Sequence, residues 1–231
     1  DRTRRVYVTM PIGVIFVRDD YIITVSQKNN DIIKDIKTEN VITYKKSRFL
    51  LQILYANSKK FLSLLYKINK ELESTENKLK NSLQNEGLLK MLDLEKSLVY
   101  FTTSLKSNEV VMEKTTRGKI IKLYEEDEDL LEDAIIENKQ AIEMAKIYSD
   151  ILSGTMDTYA SIISNNLNAV MKILTSVTFI LAIPTLIASI WGMNVELPFQ
   201  REPLGFLIIT VFSIIMCIVA TIWLKRKRML N

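Results

Sequence analysis

The chain has 231 residues, a formal net charge of +4, no histidine and one cysteine, Cys217. That length allows one or two domains. The small net charge gives no electrostatic case for a nucleic-acid partner. The missing histidine removes the commonest general base and a common zinc ligand, and a single cysteine cannot close an intrachain disulfide.

Charge is unevenly spread: most of it precedes residue 150, and the last sixty or so residues are mostly apolar. The first residues, Asp1-Arg-Thr-Arg-Arg, run straight into a strand-like segment without a signal peptide. This reads as the C-terminal part of a longer protein, cut inside a domain.

Ile12–Val17 and Tyr21–Ser26 are rich in β-branched and aromatic residues and flank Arg18-Asp19-Asp20. They predict a hairpin belonging to a larger sheet, in a partial α/β domain over 1–40. Beyond Asn30 the pattern turns helical. Leu65, Ile68, Leu72, Leu79 and Leu83 recur at three- and four-residue steps among Lys and Glu. Gln84-Asn85-Glu86-Gly87 predicts a break, and a second helix to about Lys106 completes an antiparallel hairpin. Thr115–Gly118 marks an irregular stretch, so the helical hairpin and its connector occupy 41–122.

From 123 to 191 the only Pro is Pro184 and the only Gly is Gly154. This predicts one helix of about 65 residues, roughly 100 Å long. Residues 173–195 and 203–224 carry no charge, and each is long enough to cross a bilayer. The predicted parts are a stalk helix entering a first span (123–191), a loop (192–203), a second span (204–224) and a basic tail (225–231). Lys225-Arg226-Lys227-Arg228 follows the second span, which places that end in the cytoplasm. A short connection makes the spans a hairpin. Both termini are then cytoplasmic, and the 192–203 loop is outside. In its apolar run, Cys217 reads as a small packing or lipid-facing residue.

On a helical wheel Asn168, Met171, Leu174, Thr178, Ala182, Thr185, Ser189 and Gly192 fall within an arc of about 120°, and Asp157 falls on the same arc. Ile173, Val177, Ile180, Ile187 and Trp191 lie opposite. Two readings fit this stripe. Small and hydroxylated residues allow close helix packing in membranes. They also suit a pore with rings of amide and hydroxyl oxygen and an apolar constriction at Met171 and Leu174. Two spans cannot enclose a pore, so that reading requires an oligomer.

Gly192-Met193-Asn194 closes the first span. Together with "AIEMAKIYSDILSGTMDTYASIISNNLNAVMKILT" (141–175), "IPTLIASIWGMN" (183–194) and "WLKRKRML" (223–230), it resembles the CorA family of divalent-cation channels. The likeness is close over roughly 120–230 and is one of organisation before that. It implies a mainly α membrane protein, a funnel-shaped homopentamer in the cell membrane, that moves Mg²⁺ and also Co²⁺ or Ni²⁺. By position it implies pore rings at Asp157, Asn168, Met171, Leu174, Thr178, Ala182, Thr185, Gly192 and Asn194, with Ser189 on the same stripe. It also implies a filter of Gly192, Met193 and Asn194, a basic ring of Lys225, Arg226, Lys227 and Arg228, and a regulatory Mg²⁺ ligand at Asp133 whose partner carboxylates lie at or before Asp1.

Mg²⁺ gives up its water reluctantly, so a first filter can recognise the hydrated ion through neutral oxygens. The Asn194 amide and Gly192 carbonyl would supply them, with Glu196 raising the local cation concentration. Gly192 is expected at a helix end that needs unusual dihedrals. Two departures from the family pattern stand out. Ala182 replaces a bulkier Met. The outer segment reads Pro-Phe-Gln-Arg-Glu-Pro, where Arg201 opposes Glu196 and Glu202.

Glu125–Asp129, with Glu132 and Asp133, reads mainly as a solvated helix start favoured by the macrodipole. Two rival functions remain: a Zn²⁺ transporter of the ZntB-like branch, and a non-conducting membrane-anchored scaffold or sensor. The absent histidine argues against soft-metal specialisation. No nucleotide loop, nucleophile–base pair or catalytic metal cluster supports an enzyme.

Overall fold

The computed structural model describes residues 6–17, 21–28, 31–38, 45–81, 85–118, 121, 123–194 and 204–229. It is mostly helical, with one two-stranded sheet: β1 (Ile12–Val17), β2 (Tyr21–Ser26), α1 (Asp31–Thr38), α2 (Lys46–Asn81), α3 (Asn85–Thr116), α4 (Glu125–Trp191) and α5 (Gly205–Arg226). The chain divides into two compact units, Asp1–Met156 and Asp157–Asn231, and α4 contributes to both.

In the first unit β1 and β2 pair antiparallel, with Ile12 opposite Ser26 and Val17 opposite Tyr21. Val14 and Phe16 pack against the core, while Ile15, Val17, Ile23 and Val25 on the other face are exposed. Behind the hairpin three helices share a seven-residue repeat. Buried positions follow steps of three and four along α2 (Leu51, Leu54, Ser58, Phe61, Leu65, Ile68, Leu72), α3 (Met91, Leu94, Leu98, Phe101, Leu105) and α4 (Leu131, Ala134, Asn138, Ala141, Ala145). A 3.5-residue period keeps such seams facing one another along a bundle. Two buried polar groups fasten α4 into it. Ser58 Oγ donates to the Leu54 and Ala134 carbonyls (3.0 and 3.4 Å), and Asn138 Nδ2 donates to the Leu105 carbonyl (3.1 Å).

Gly87 of α3 lies close against Leu79 of α2. A Cβ there would stand 2.7 Å from Leu79 Cδ2 and 2.8 Å from its Cγ. Gly87 therefore lies inside α3, and the expected break involves Gln84, which lies outside the described residues. Helix α3 continues to Thr116, ten residues past the expected end near Lys106. Leu105 and Met112 are buried on the same stripe and carry the helix through. Gly118, just past α3, has φ 65°.

The acidic start of α4 corrects one expectation. Asp127 is 1% exposed, not solvated. Arg48 Nη1 donates to Asp127 Oδ1 (3.1 Å) and to the Glu126 carbonyl (3.2 Å), and Lys45 pairs with Glu126. The lysine bond holds the Glu126 carboxyl below its ordinary range. Glu126 and Asp127 thus attach the run to the start of α2, while Glu125, Glu128, Asp129, Glu132 and Asp133 are exposed, as expected.

Candidate functional site

In the second unit the candidate site is one face of α4, and α5 determines which. The second part of α4 and all of α5 are each long and apolar enough to cross a membrane. Helix α5 presents a row of mostly small residues, Gly205, Ile209, Ser213, Cys217, Ala220 and Leu224, which are its buried or half-buried positions. Small side chains let membrane helices approach closely. On α4 the covered positions are Ser176, Ile180, Ile183, Pro184, Ile187 and Trp191. At 100° per residue these centre about 180° from the centre of the stripe that includes Thr178, Ala182, Thr185 and Ser189.

Every stripe residue is exposed: Asp157, Asn168, Met171, Leu174, Thr178, Ala182, Thr185, Ser189 and Gly192. Ile173 and Val177, on the opposite arc of the sequence wheel, are also exposed, at 47% and 43%. Helix α5 thus covers only part of the bulky face. A groove of about 780 Å³ runs over Thr178, Ala182, Thr185 and Ser189, and the small Ala182 opens it. The two threonine hydroxyls are committed within the helix. Thr178 Oγ1 donates to the Leu174 carbonyl (2.9 Å) and Thr185 Oγ1 to the Leu181 carbonyl (3.0 Å). With its hydrogen used, each hydroxyl presents only lone pairs to the groove.

At the end of α4, Gly192 N–H still donates to the Ala188 carbonyl (2.8 Å), and Met193 N–H donates to the Ile190 carbonyl (3.2 Å). Among the described residues Gly118 is the only glycine with positive φ, so the expected reason for Gly192 is corrected. Its backbone is ordinary. What glycine allows is a close approach, since a Cβ would sit 3.3 Å from the Ala188 oxygen. Gly192, Met193 and Asn194 are all exposed. Glu196, Arg201 and Glu202 lie outside the described residues.

The tail is a built turn. Lys225 and Arg226 end α5, Lys227 caps it, and all four basic residues of 225–228 are exposed. Met229 N–H donates to the Leu224 carbonyl (3.1 Å), which leaves Arg228 at φ 56° in the left-handed position that helix ends usually give to glycine. Ser176, fully buried, donates from Oγ to the Met229 carbonyl (3.4 Å) and ties this turn to α4.

Asp133 belongs to the first unit and is exposed on α4. Among the described residues no group of three acidic, histidine or cysteine side chains is placed to hold a metal. Asp133 can therefore be one ligand of a divalent ion but not a complete site.

Sequence reasoning missed three contacts here. The Arg48–Asp127 pair left no local signal, because the partners lie 79 residues apart. The Ser176–Met229 bond depends on the fold of the tail turn. The third, between Cys217 and Ile180, had a signal in Pro184, since a helical proline always strands the carbonyl four residues before it.

Comparison with known proteins agrees with this arrangement. A family model described as "CorA-like Mg2+ transporter protein" matches residues 5–226. The "Cobalt/magnesium transport protein CorA" of Methanocaldococcus jannaschii is 30% identical over 224 residues, covering 92% of this chain and 70% of the relative. The protein of the same description from Thermotoga maritima is 32% identical over 148 residues, covering 59% of this chain and 42% of the relative. Among solved structures, the complete CorA magnesium transporter from Methanocaldococcus jannaschii superposes with a TM-score of 0.75 at 28% identity, over 94% of this chain and 75% of that one. With a family match spanning nearly its whole length, the chain belongs to the CorA-like Mg²⁺ transporter family.

Proposed function

We propose that this chain is one subunit of a homopentameric channel that moves Mg²⁺, and also Co²⁺ or Ni²⁺, across the cell membrane. The observation that carries the reading is the division of α4 into two faces. One is covered by α5, and the other is exposed along its length and carries oxygen acceptors. Two spans cannot enclose water, so the exposed face meets its equivalents from further copies. Five copies ring an axis, with Asn168, Thr178, Ala182, Thr185 and Ser189 on the pathway and Met171 and Leu174 as the apolar constriction. Asp157 rings the pathway below the membrane.

Both termini are cytoplasmic, with Lys225–Arg228 on the inner surface. At the outer end Gly192, Met193 and Asn194 form the filter. The ion arrives hydrated, because stripping Mg²⁺ of its inner waters is slow and costly. Asn194 amide and Gly192 carbonyl oxygens accept hydrogen bonds from those waters, and being neutral they also let the ion go. Glu196 draws cations toward them. Ala182 makes the middle of the pathway wider than a bulkier residue would.

Cytoplasmic Mg²⁺ also regulates the channel. Asp133 is an exposed carboxylate on the stalk part of α4. With carboxylates from a neighbouring subunit it holds a divalent ion that bridges subunits and keeps the pathway closed.

The test is Mg²⁺ uptake into liposomes by wild type and Asn194→Ala, with assembly followed by cross-linking. Uptake by wild type and its loss in an assembled Asn194→Ala variant are expected. Wild-type uptake by the variant overturns the filter, and preference for Zn²⁺ over Mg²⁺ moves the protein to the Zn²⁺-transporting branch. No flux of any divalent ion from an intact oligomer overturns the channel in favour of a scaffold.

A further inference from the structure

Pro184 lies within α4. Having no N–H, it leaves the Ile180 carbonyl without its helical donor. In a membrane span no water replaces that donor, and neighbouring helices must supply one. Cys217 of α5 does so here: its Sγ lies 3.8 Å from the Ile180 oxygen. Cys217 is half-buried on the small-residue row of α5. A cavity of about 570 Å³ lies beside it, bounded by Pro184, Ile187 and Ala188 on α4. That space is an open groove, and the thiol is placed to face the stranded carbonyl.

We infer that Cys217 is a positioning residue: its thiol donates to the carbonyl that Pro184 strands, and it thereby fixes α5 against the middle of α4, behind the exposed stripe. The thiol is a weak donor, but the carbonyl's alternative is to remain unpaired in an apolar surrounding, which is the costly state. Together with the Ser176–Met229 bond, it gives α5 two polar attachments on one face of α4, at positions 176 and 180. The functional half of this inference, that the stripe is held in register for ion passage, rests on the channel reading. The hydrogen bond itself does not.

The test uses the full chain as wild type, Cys217→Ser (a stronger donor) and Cys217→Val (similar bulk, no donor), each also with Pro184→Ala. Because the chain has one cysteine, its infrared S–H stretching band has a single source. In wild type that band should lie below the frequency of a thiol dissolved in hydrocarbon. Cys217→Ser should unfold in detergent no earlier than wild type and carry Mg²⁺ into liposomes within about twofold of it. Cys217→Val should unfold earlier and carry it about two- to tenfold more slowly, the range of one lost hydrogen bond. With Pro184→Ala, residue 184 regains its N–H, and the gap between the Cys217→Ser and Cys217→Val chains should close to within about twofold. A thiol band at the unbonded frequency overturns the inference. So do serine and valine variants that behave alike, or a gap unchanged by Pro184→Ala. If Pro184→Ala does not fold, the band and the comparison of the two cysteine variants still decide. If wild type moves no Mg²⁺ while the band shift and the unfolding differences stand, the channel reading fails and the hydrogen bond remains.

Discussion

Arg48→Ala isolates a charge pair whose acidic member is buried. Asp127 is 1% exposed and the side chain of its partner Arg48 is 30% exposed. Asp127 Oδ2 has no hydrogen-bond partner, so the guanidinium on Oδ1 is the chief compensation for a buried carboxylate. Removing one member of a fully buried pair costs about 3–5 kcal/mol. Water can partly replace the exposed third of Arg48, which lowers the expectation to about 2–3 kcal/mol, in the range of a charged hydrogen bond. Removing both charges with Arg48→Met and Asp127→Leu should restore most of the loss, because the desolvation penalty goes with them. The assay is urea unfolding of the full chain in detergent, followed by circular dichroism, with the midpoint read at constant slope. A shift worth less than about 0.5 kcal/mol for Arg48→Ala, the size of an ordinary surface change, would refute the reasoning, as would a double variant no better than the single one.

Gly87→Ala puts a methyl group 2.7 Å from Leu79 Cδ2 and should destabilise by about 1–3 kcal/mol as overpacking, read by thermal unfolding; no loss would mean that Leu79 moves aside freely. Lys45→Met should lower the unfolding temperature at neutral pH and lose that effect in acid. Glu126, held below the ordinary carboxylate range by Lys45, binds its proton less readily folded than unfolded, so the contribution is present above the unfolded pKa and disappears as pH falls through the folded one; a difference that persists in acid would exclude the pair as its cause. Under the proposed regulation, Asp133→Lys should make the first unit of the full-length protein protease-resistant without Mg²⁺, where wild type should gain resistance only as Mg²⁺ rises; identical Mg²⁺ dependence would leave Asp133 as surface charge. Thr178→Val with Thr185→Val keeps shape and removes two acceptors per chain, so under the channel reading oligomers should form normally and conduct Mg²⁺ at least about tenfold more slowly, as expected when interactions worth about 1.4 kcal/mol are lost at the rate-limiting point; unchanged flux would take the hydroxyls off the pathway.

The hairpin was legible in the sequence because β-branched and aromatic residues fill two six-residue runs. The long α4 was legible because neither Gly154 nor Pro184 ends it. The end of α3 was misread: it was expected near Lys106, yet Leu105 and Met112 continue a buried stripe and the helix runs to Thr116, into the irregular stretch expected at Thr115–Gly118. The three-helix repeat was present in the letters. On α4 it runs through Ala and Asn rather than Leu, so it does not announce itself as an apolar heptad. Asp127 was misassigned for a different reason: its environment is set by Arg48, and sequence spacing carries no trace of a contact across two helices. At the candidate site the wheel placed the stripe on one arc, but only the position of α5 distinguishes the covered face from the exposed one.

That division bears on the choice between packing and passage. In helix packing, serine and threonine help by donating across the interface. Thr178 and Thr185 have no hydrogen left to donate, because each has spent it on its own helix. Around a symmetric ring each threonine meets its own equivalent, so acceptor would face acceptor. Under the channel reading a donor placed between them, water that is free or carried on a cation, pairs with such rings. The small side chains on the same face keep the space that this water needs. Under the channel reading the apolar Met171 and Leu174 interrupt it on the same arc, where a ring of five would close by drying. Thr210 and Thr221 of α5 bond to their own helix in the same way, so what sets Thr178 and Thr185 apart is the exposed small-residue face they share, and the flux of the double valine variant decides between packing and passage.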